Sequence, residues 1–193
     1  MVKGDQNIMV ILSSPSGVGK TTITKKIQQK YNSFKISVSH TTRPARSNEV
    51  EGVDYHFVNE ETFKKLIDDE KFYEYAKIFD NYYGTLKKNV DENIKKSDIL
   101  FDIDWQGTKQ LSKFKELKLI KIFLITSNKR ELKKRLLKRD QNTTAEIDKR
   151  FNSFDEDVKH WKDYDYIIIN ENLEVCFKQI ESIINYNKNR FSI

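Results

Sequence analysis

Apolar residues in this chain come as short continuous runs separated by longer stretches of mixed character. Ile8-Met9-Val10-Ile11-Leu12, Ile99-Leu100-Phe101, Ile122-Phe123-Leu124-Ile125 and Ile167-Ile168-Ile169 show no polar alternation. A strand apolar on both faces is buried on both faces, as in a parallel sheet covered by helices. The pattern predicts strands over 9–13, 34–38, 55–58, 72–79, 99–103, 120–125 and 166–169. It predicts helices over 21–30, 60–68, 87–95, 106–113, 129–138, 145–159 and 174–187. Strands alternating with helices indicate an α/β fold around a parallel sheet. The stretch 39–85 differs, being rich in Thr, Tyr and Arg with short strands, as a smaller inserted lobe would be. There are no repeats, low-complexity tracts or flexible linkers, and two of the six glycines fall in one loop.

That loop is Ser14-Pro15-Ser16-Gly17-Val18-Gly19-Lys20-Thr21-Thr22, directly after the first apolar run. A buried strand, a glycine-containing turn and a polar helix start together bring backbone N–H groups and a helix N-terminus to bear on an anion. The phosphate-loop pattern G-x-x-x-x-G-K-[ST] is met except at its first position, where Ser14 stands. The plainer alternative is an ordinary glycine-containing turn. A second constellation, Phe101-Asp102-Ile103-Asp104-Trp105-Gln106-Gly107, ends a buried strand with two acids. Alternation puts Asp102 and Asp104 on one face. An acid there orients Mg²⁺ on a loop-bound nucleotide, or caps the following helix, a role that suits Asp104 alone. Ligands of such sheets sit at the carboxyl ends of the strands, which places the loop and the ends of 99–103 and 120–125 along one rim. A third group, Ser39-His40-Thr41-Thr42-Arg43-Pro44-Ala45-Arg46 with Tyr55, Glu74, Tyr83 and Thr85, combines arginine forks and tyrosine hydroxyls suited to a phosphate monoester.

Composition narrows the partners. With 193 residues, 37% hydrophobic and 12% aromatic, the chain suffices for one domain with a sizeable core. A charged fraction of 33% and a mean hydropathy of −0.72 indicate a soluble protein. No apolar stretch approaches the ~20 residues of a membrane span, and the N-terminal run is too short for a signal peptide. Cys176 is alone, which fits a reducing cytoplasm. The net charge of +6 would suit nucleic acid or an anionic membrane, but the basic residues are interleaved with acids, which favours a polyanionic small substrate. His40, His56 and His160 lack metal-ligand spacing, and Trp161 is expected in the core.

Together these motifs resemble the guanylate kinases, over about 8–170, in the order 14–21, 37–46, 81–85 and 102–107. The resemblance implies a P-loop nucleoside-monophosphate-kinase-like three-layer fold, with a parallel central sheet, an inserted GMP-binding lobe and a helical lid. It implies one domain over 1–193, with the core at about 1–38, 86–126 and 159–193, the lobe at about 39–85 and the lid at about 127–158. The implied activity is transfer of the γ-phosphoryl group of ATP to GMP, with Mg²⁺ as cofactor, in a cytoplasmic monomer or homodimer that binds neither nucleic acid nor membrane. Ser14, Pro15, Ser16, Gly17, Val18, Gly19, Lys20 and Thr21 would cradle the ATP phosphates, with Asn170 near adenine. Thr21 and Asp102 would hold the metal. Arg43, Arg46, Tyr55 and Tyr83 would hold the GMP phosphate; Glu74, Asp104, Ser39 and Thr85 would face guanine. Lys20, Arg43, Arg139 and Arg150 would be catalytic, with Arg135 in reserve. Trp105 would pack under the guanine pocket. Two segments depart from the family pattern: Lys138-Arg139-Asp140 stands where the family has glycines around the first lid arginine, and Asp80 replaces a glycine before Asn81.

Guanine chemistry agrees with the carboxylates, because N1–H and N2–H₂ are adjacent donors whereas adenine N1 would confront a carboxylate with a lone pair. Two rivals remain. A small GTPase is suggested by Asp104-Trp105-Gln106-Gly107 as D-x-x-G and Asn128-Lys129-Arg130-Glu131 as a near N-K-x-D. A catalytically silent guanylate-kinase-like binding module would lack an intact phosphate loop.

Overall fold

The computed structural model describes residues 7–137 and 144–191. Its chain order is β1 (Met9–Ser13), α1 (Lys20–Lys30), β2 (Phe34–Ile36), β3 (His40–Thr41), β4 (His56–Phe57), α2 (Glu60–Asp68), β5 (Phe72–Ile78), β6 (Asn81–Leu86), α3 (Lys87–Asn93), β7 (Asp98–Asp102) and α4 (Trp105–Leu111). There follow β8 (Leu119–Ile125), α5 (Lys129–Leu137), α6 (Thr144–Asn152), α7 (Phe154–Val158), a 3₁₀ turn (Lys159–Asp163), β9 (Tyr166–Ile169) and α8 (Leu173–Phe191).

Five strands form a parallel sheet in the order β2-β7-β1-β8-β9. The continuous apolar runs of β1, β7 and β8 are explained by burial on both faces, but that of β9 is not: it is the edge strand, and Ile167 and Ile169 are exposed. Val10 and Leu12 of β1 face one cluster with Ile23, Ile27, Leu132, Ile180 and Ile184. Met9 and Ile11 face the other, with Val90, Phe101 and Leu111.

A second sheet, ordered β4-β3-β6-β5, is built from 40–86 and is mostly antiparallel. Phe63 of α2 stacks on Phe72 at 4.6 Å and on Tyr82 at 5.4 Å to form its own small core. Two strands here, β3 and β6, are absent from the sequence-based assignment. β3 spans two residues, and β6 is read by its Asn-Tyr-Tyr-Gly chemistry rather than by an apolar pattern. The predicted helix over 145–159 is two helices, α6 and α7, with a break at Ser153, followed by the 3₁₀ turn. Trp161, expected in the core, lies on the surface at 44% exposure. Among the described residues no helix is long and apolar enough to cross a membrane.

Candidate active site

The phosphate loop turns on Gly17 and Gly19, with φ of 86° and 107°. A side chain at Gly19 would be strained there and would put Cβ 2.7 Å from Asn170 Nδ2. Asn170, at the end of β9, is buried and its amide donates to the Val18 carbonyl at 2.7 Å. It braces the loop from behind. Arg135 also donates to that carbonyl, at 3.4 Å. Leu132 and Leu136 of α5 stand 2.9 Å from where a Cβ on Gly17 would be. Gly19 caps α1 without a side chain, so Lys20 opens the helix and Thr21 is exposed beside it.

Lys20 ion-pairs with Asp102 at the end of β7 and donates to the Ile103 carbonyl at 3.1 Å. Asp104 lies beyond the strand, as the N-cap of α4. Its Oδ1 accepts from the Gly107 N–H and its Oδ2 from the Gln106 amide, each at 3.0 Å. The capping role anticipated for Asp104 is therefore present, and it fixes the carboxylate at the rim.

On the smaller sheet, Arg43 makes two hydrogen bonds to Glu49, at 2.8 and 2.9 Å. Arg46 meets the same carboxylate through its N–H at 2.9 Å and its guanidinium at 3.7 Å. The rings of Tyr55 and Tyr83 meet edge to face at 5.9 Å, with the Arg43 guanidinium 5.4 Å from Tyr55. Burial pushes the Tyr55 hydroxyl above its ordinary range, and the Asp102 charge adds to this, so it is a donor at neutral pH.

Glu74, Thr85 and Ser39 are each buried, and the Asp104 charge is felt at Glu74. A β-bulge between Phe72 and Glu74 sets Glu74 opposite Thr85. Burial pushes the Glu74 carboxyl up to about 7, and the nearby Asp104 charge adds to the shift. Among the described residues Glu74 Oε1 and Thr85 Oγ1 make no well-formed hydrogen bond, although Thr85 lies close enough to Glu74 to oppose part of the upward shift. Buried polar atoms left so are costly unless a ligand completes them.

α6 brings Arg150 over the loop. Its guanidinium donates to Ser16 Oγ at 3.1 Å and lies 5.2 Å from the Phe79 ring. Arg139 falls outside the described residues. Trp105 stacks on His160 at 3.6 Å. Asn128 caps α5 by accepting from the Glu131 N–H at 3.0 Å, so the N-K-x-E segment serves as a helix start.

Two carboxylates stand out to which sequence reasoning assigned no role. Glu49, which follows the arginines in the group Glu49-x-x-Gly52-x-Asp54-Tyr55, holds both of them. Asp157 of α7 is pushed up to about 6 by burial, with the Asp104 charge adding to it, and no motif marks it. Among the described residues no group of three or more His, Cys, Asp or Glu could hold a metal.

The guanylate kinase family model matches residues 6–187. A guanylate kinase of Clostridioides difficile is 42% identical over 190 residues, covering 97% of this chain and 91% of that protein. One of Zymomonas mobilis is 40% identical over 184 residues, covering 95% and 85%. The crystal structure of guanylate kinase from Anaplasma phagocytophilum superposes with a TM-score of 0.79 at 31% identity, covering 95% of this chain and 87% of that one. With the match running along nearly its whole length, the chain belongs to the guanylate kinase family.

Proposed function

We infer that the chain is a nucleoside monophosphate kinase that transfers the γ-phosphoryl group of ATP to GMP, giving ADP and GDP. The observation that carries the choice of guanine is the buried pair Glu74 Oε1 and Thr85 Oγ1, without a well-formed hydrogen bond among the described residues and with the Asp104 charge felt at Glu74. Carboxylates accept from guanine N1–H and N2–H₂, and a hydroxyl donates to O6. Arg43, Arg46, Tyr55 and Tyr83 supply donors for the GMP phosphate, with Ser39 closing the guanine pocket.

ATP is proposed to lie with its phosphates along 14–21, and Lys20 to leave Asp102 for the β- and γ-phosphates. Asn170 contributes to this site through Val18, which it holds. Thr21 and Asp102 are hard oxygen donors beside the loop, the donor chemistry that Mg²⁺ takes. Bound with ATP, the ion would neutralise phosphate charge. The attacking phosphate oxygen of GMP is already anionic, so no general base is needed. What the protein supplies is position and positive charge, through Lys20, Arg43, Arg150 and, by family resemblance, Arg139. The GTPase alternative is disfavoured because Asn128 is committed to capping α5, and the silent-module alternative because Lys20 and the loop are intact.

The deciding assay measures ADP formation from ATP across AMP, GMP, CMP, UMP and dTMP. GMP alone should support rapid turnover, and Lys20→Ala should abolish it while the melting temperature holds. Turnover with AMP equal to that with GMP would overturn the guanine assignment.

A further inference from the structure

The two sheets meet where α4 lies against β5, and that seam carries both carboxylates proposed to read guanine. Asp104 arrives from the parallel sheet as the N-cap of α4, and Glu74 arrives on β5. Between them lies Gly107. Its N–H donates to Asp104 Oδ1 at 3.0 Å. A Cβ at Gly107 would sit 2.5 Å from Glu74 Oε2 and 3.1 Å from Glu74 Cδ, closer than non-bonded atoms approach. One turn later, Gln110 grips the β5 backbone. Its Nε2 donates to the Tyr75 carbonyl at 2.6 Å, and its Oε1 accepts from the Tyr75 N–H at 3.2 Å, as a neighbouring strand would.

Glycine is a poor choice for a helix, costing about 1 kcal/mol relative to alanine. Gly107 is not at positive φ, so backbone conformation does not call for it either. The space taken by the Glu74 carboxylate does. We propose that Gly107 is a positioning residue for guanine recognition, seating Glu74 against its bare Cα while its N–H holds Asp104, with Gln110 locking β5 in register on α4.

This rests on the reading of the pocket as a guanine site. An added methyl group must displace Glu74 by on the order of 1 Å, and misplacement of that size costs up to ~100-fold. The test is a cycle of Gly107→Ala and Glu74→Asp, singly and together, with steady-state kinetics for both substrates and melting temperatures. Gly107→Ala should raise KM for GMP about tenfold or more, while KM for ATP stays within about twofold. In the Glu74→Asp background the carboxylate is one methylene shorter and clears the methyl group. There the same substitution should raise KM for GMP by less than about threefold. Gln110→Ala should raise KM for GMP several-fold with KM for ATP unchanged. Equal penalties in the two Glu74 backgrounds would overturn the proposal, as would a melting-temperature loss with KM for GMP unmoved. A wild-type protein that converts no GMP would instead defeat the pocket assignment itself.

Discussion

At the scale of single residues, Glu74 carries the clearest tension between folding and function. Its carboxyl is raised to about 7, burial being the main cause. To accept from guanine it must be ionised. KM for GMP should therefore be flat above about pH 7 and rise roughly tenfold per unit below it. The GMP phosphate itself titrates near pH 6, so the comparison is with Glu74→Gln, which should keep the phosphate dependence and lose the rest. Stability runs the other way. An acid whose folded pKa exceeds its unfolded value binds more protons when folded between about 4.5 and 7, so its contribution is present at low pH and lost as pH rises through 7. Glu74→Gln should then raise the melting temperature of the ligand-free protein at pH 8, by an amount equivalent to about 1–3 kcal/mol, and change it less at pH 5. Equal shifts at both pH values would refute this. Lys20, Asp102 and the arginines were legible because their motifs fix residue type and spacing together. Glu49 and Asp157 were not, because a carboxylate that orients other side chains needs only to be near them in space.

At the scale of elements, the strands with double-sided burial were readable almost to the residue. β1 coincides with its apolar run because both of its faces are packed, whereas β9 coincides with its run although it is the edge strand, with Ile167 and Ile169 exposed and only Ile168 buried. β3 and β6 escaped because pairing, rather than apolar pattern, makes them strands: His40 and Thr41 oppose Gly84 and Tyr83. The break between α6 and α7 has a similar cause, since Phe154 is buried against the main core while Arg150 must reach Ser16. The end of β9 matters most for the site. Asn170 reaches 2.7 Å to the Val18 carbonyl beneath a loop whose own helix start lacks a side-chain cap. Asn170→Ala should cost about 1–3 kcal/mol, the penalty for leaving a buried carbonyl underused, seen as a lower melting temperature. KM for ATP should rise more than KM for GMP. A substitution that melts the protein earlier yet leaves the ratio of the two unchanged would show that the brace serves stability alone.

At the scale of the whole molecule, α5 and α6 cover the proposed ATP site, and α6 also touches the smaller sheet that carries the proposed GMP site. On one side Leu132 and Leu136 cover Gly17, and Arg150 donates to Ser16. On the other side the turn between β5 and β6 meets α6: Lys149 lies 3.5 Å from Asp80 and 5.1 Å from the Phe79 ring, and Arg150 lies 5.2 Å from the same ring. Phe79 adopts φ of 55°, in a two-residue hairpin loop where glycine is the usual choice. A bulky residue held there costs of order 1–3 kcal/mol, and the ring under two cations offsets part of that. The phosphate loop and the lobe that carries the proposed GMP site thus both lean on α6, and a shared element couples binding. Each ligand should tighten the other by the same factor, because coupling free energy is reciprocal. Titration calorimetry with GMP and a non-hydrolysable ATP analogue should give a factor of about 5 or more in both directions. Phe79→Leu removes the ring without touching either proposed pocket. It should leave each single-ligand affinity within about twofold while pulling the coupling factor toward one. Retention of full coupling in that variant would mean that the two sites communicate through the seam of α4 and β5 instead.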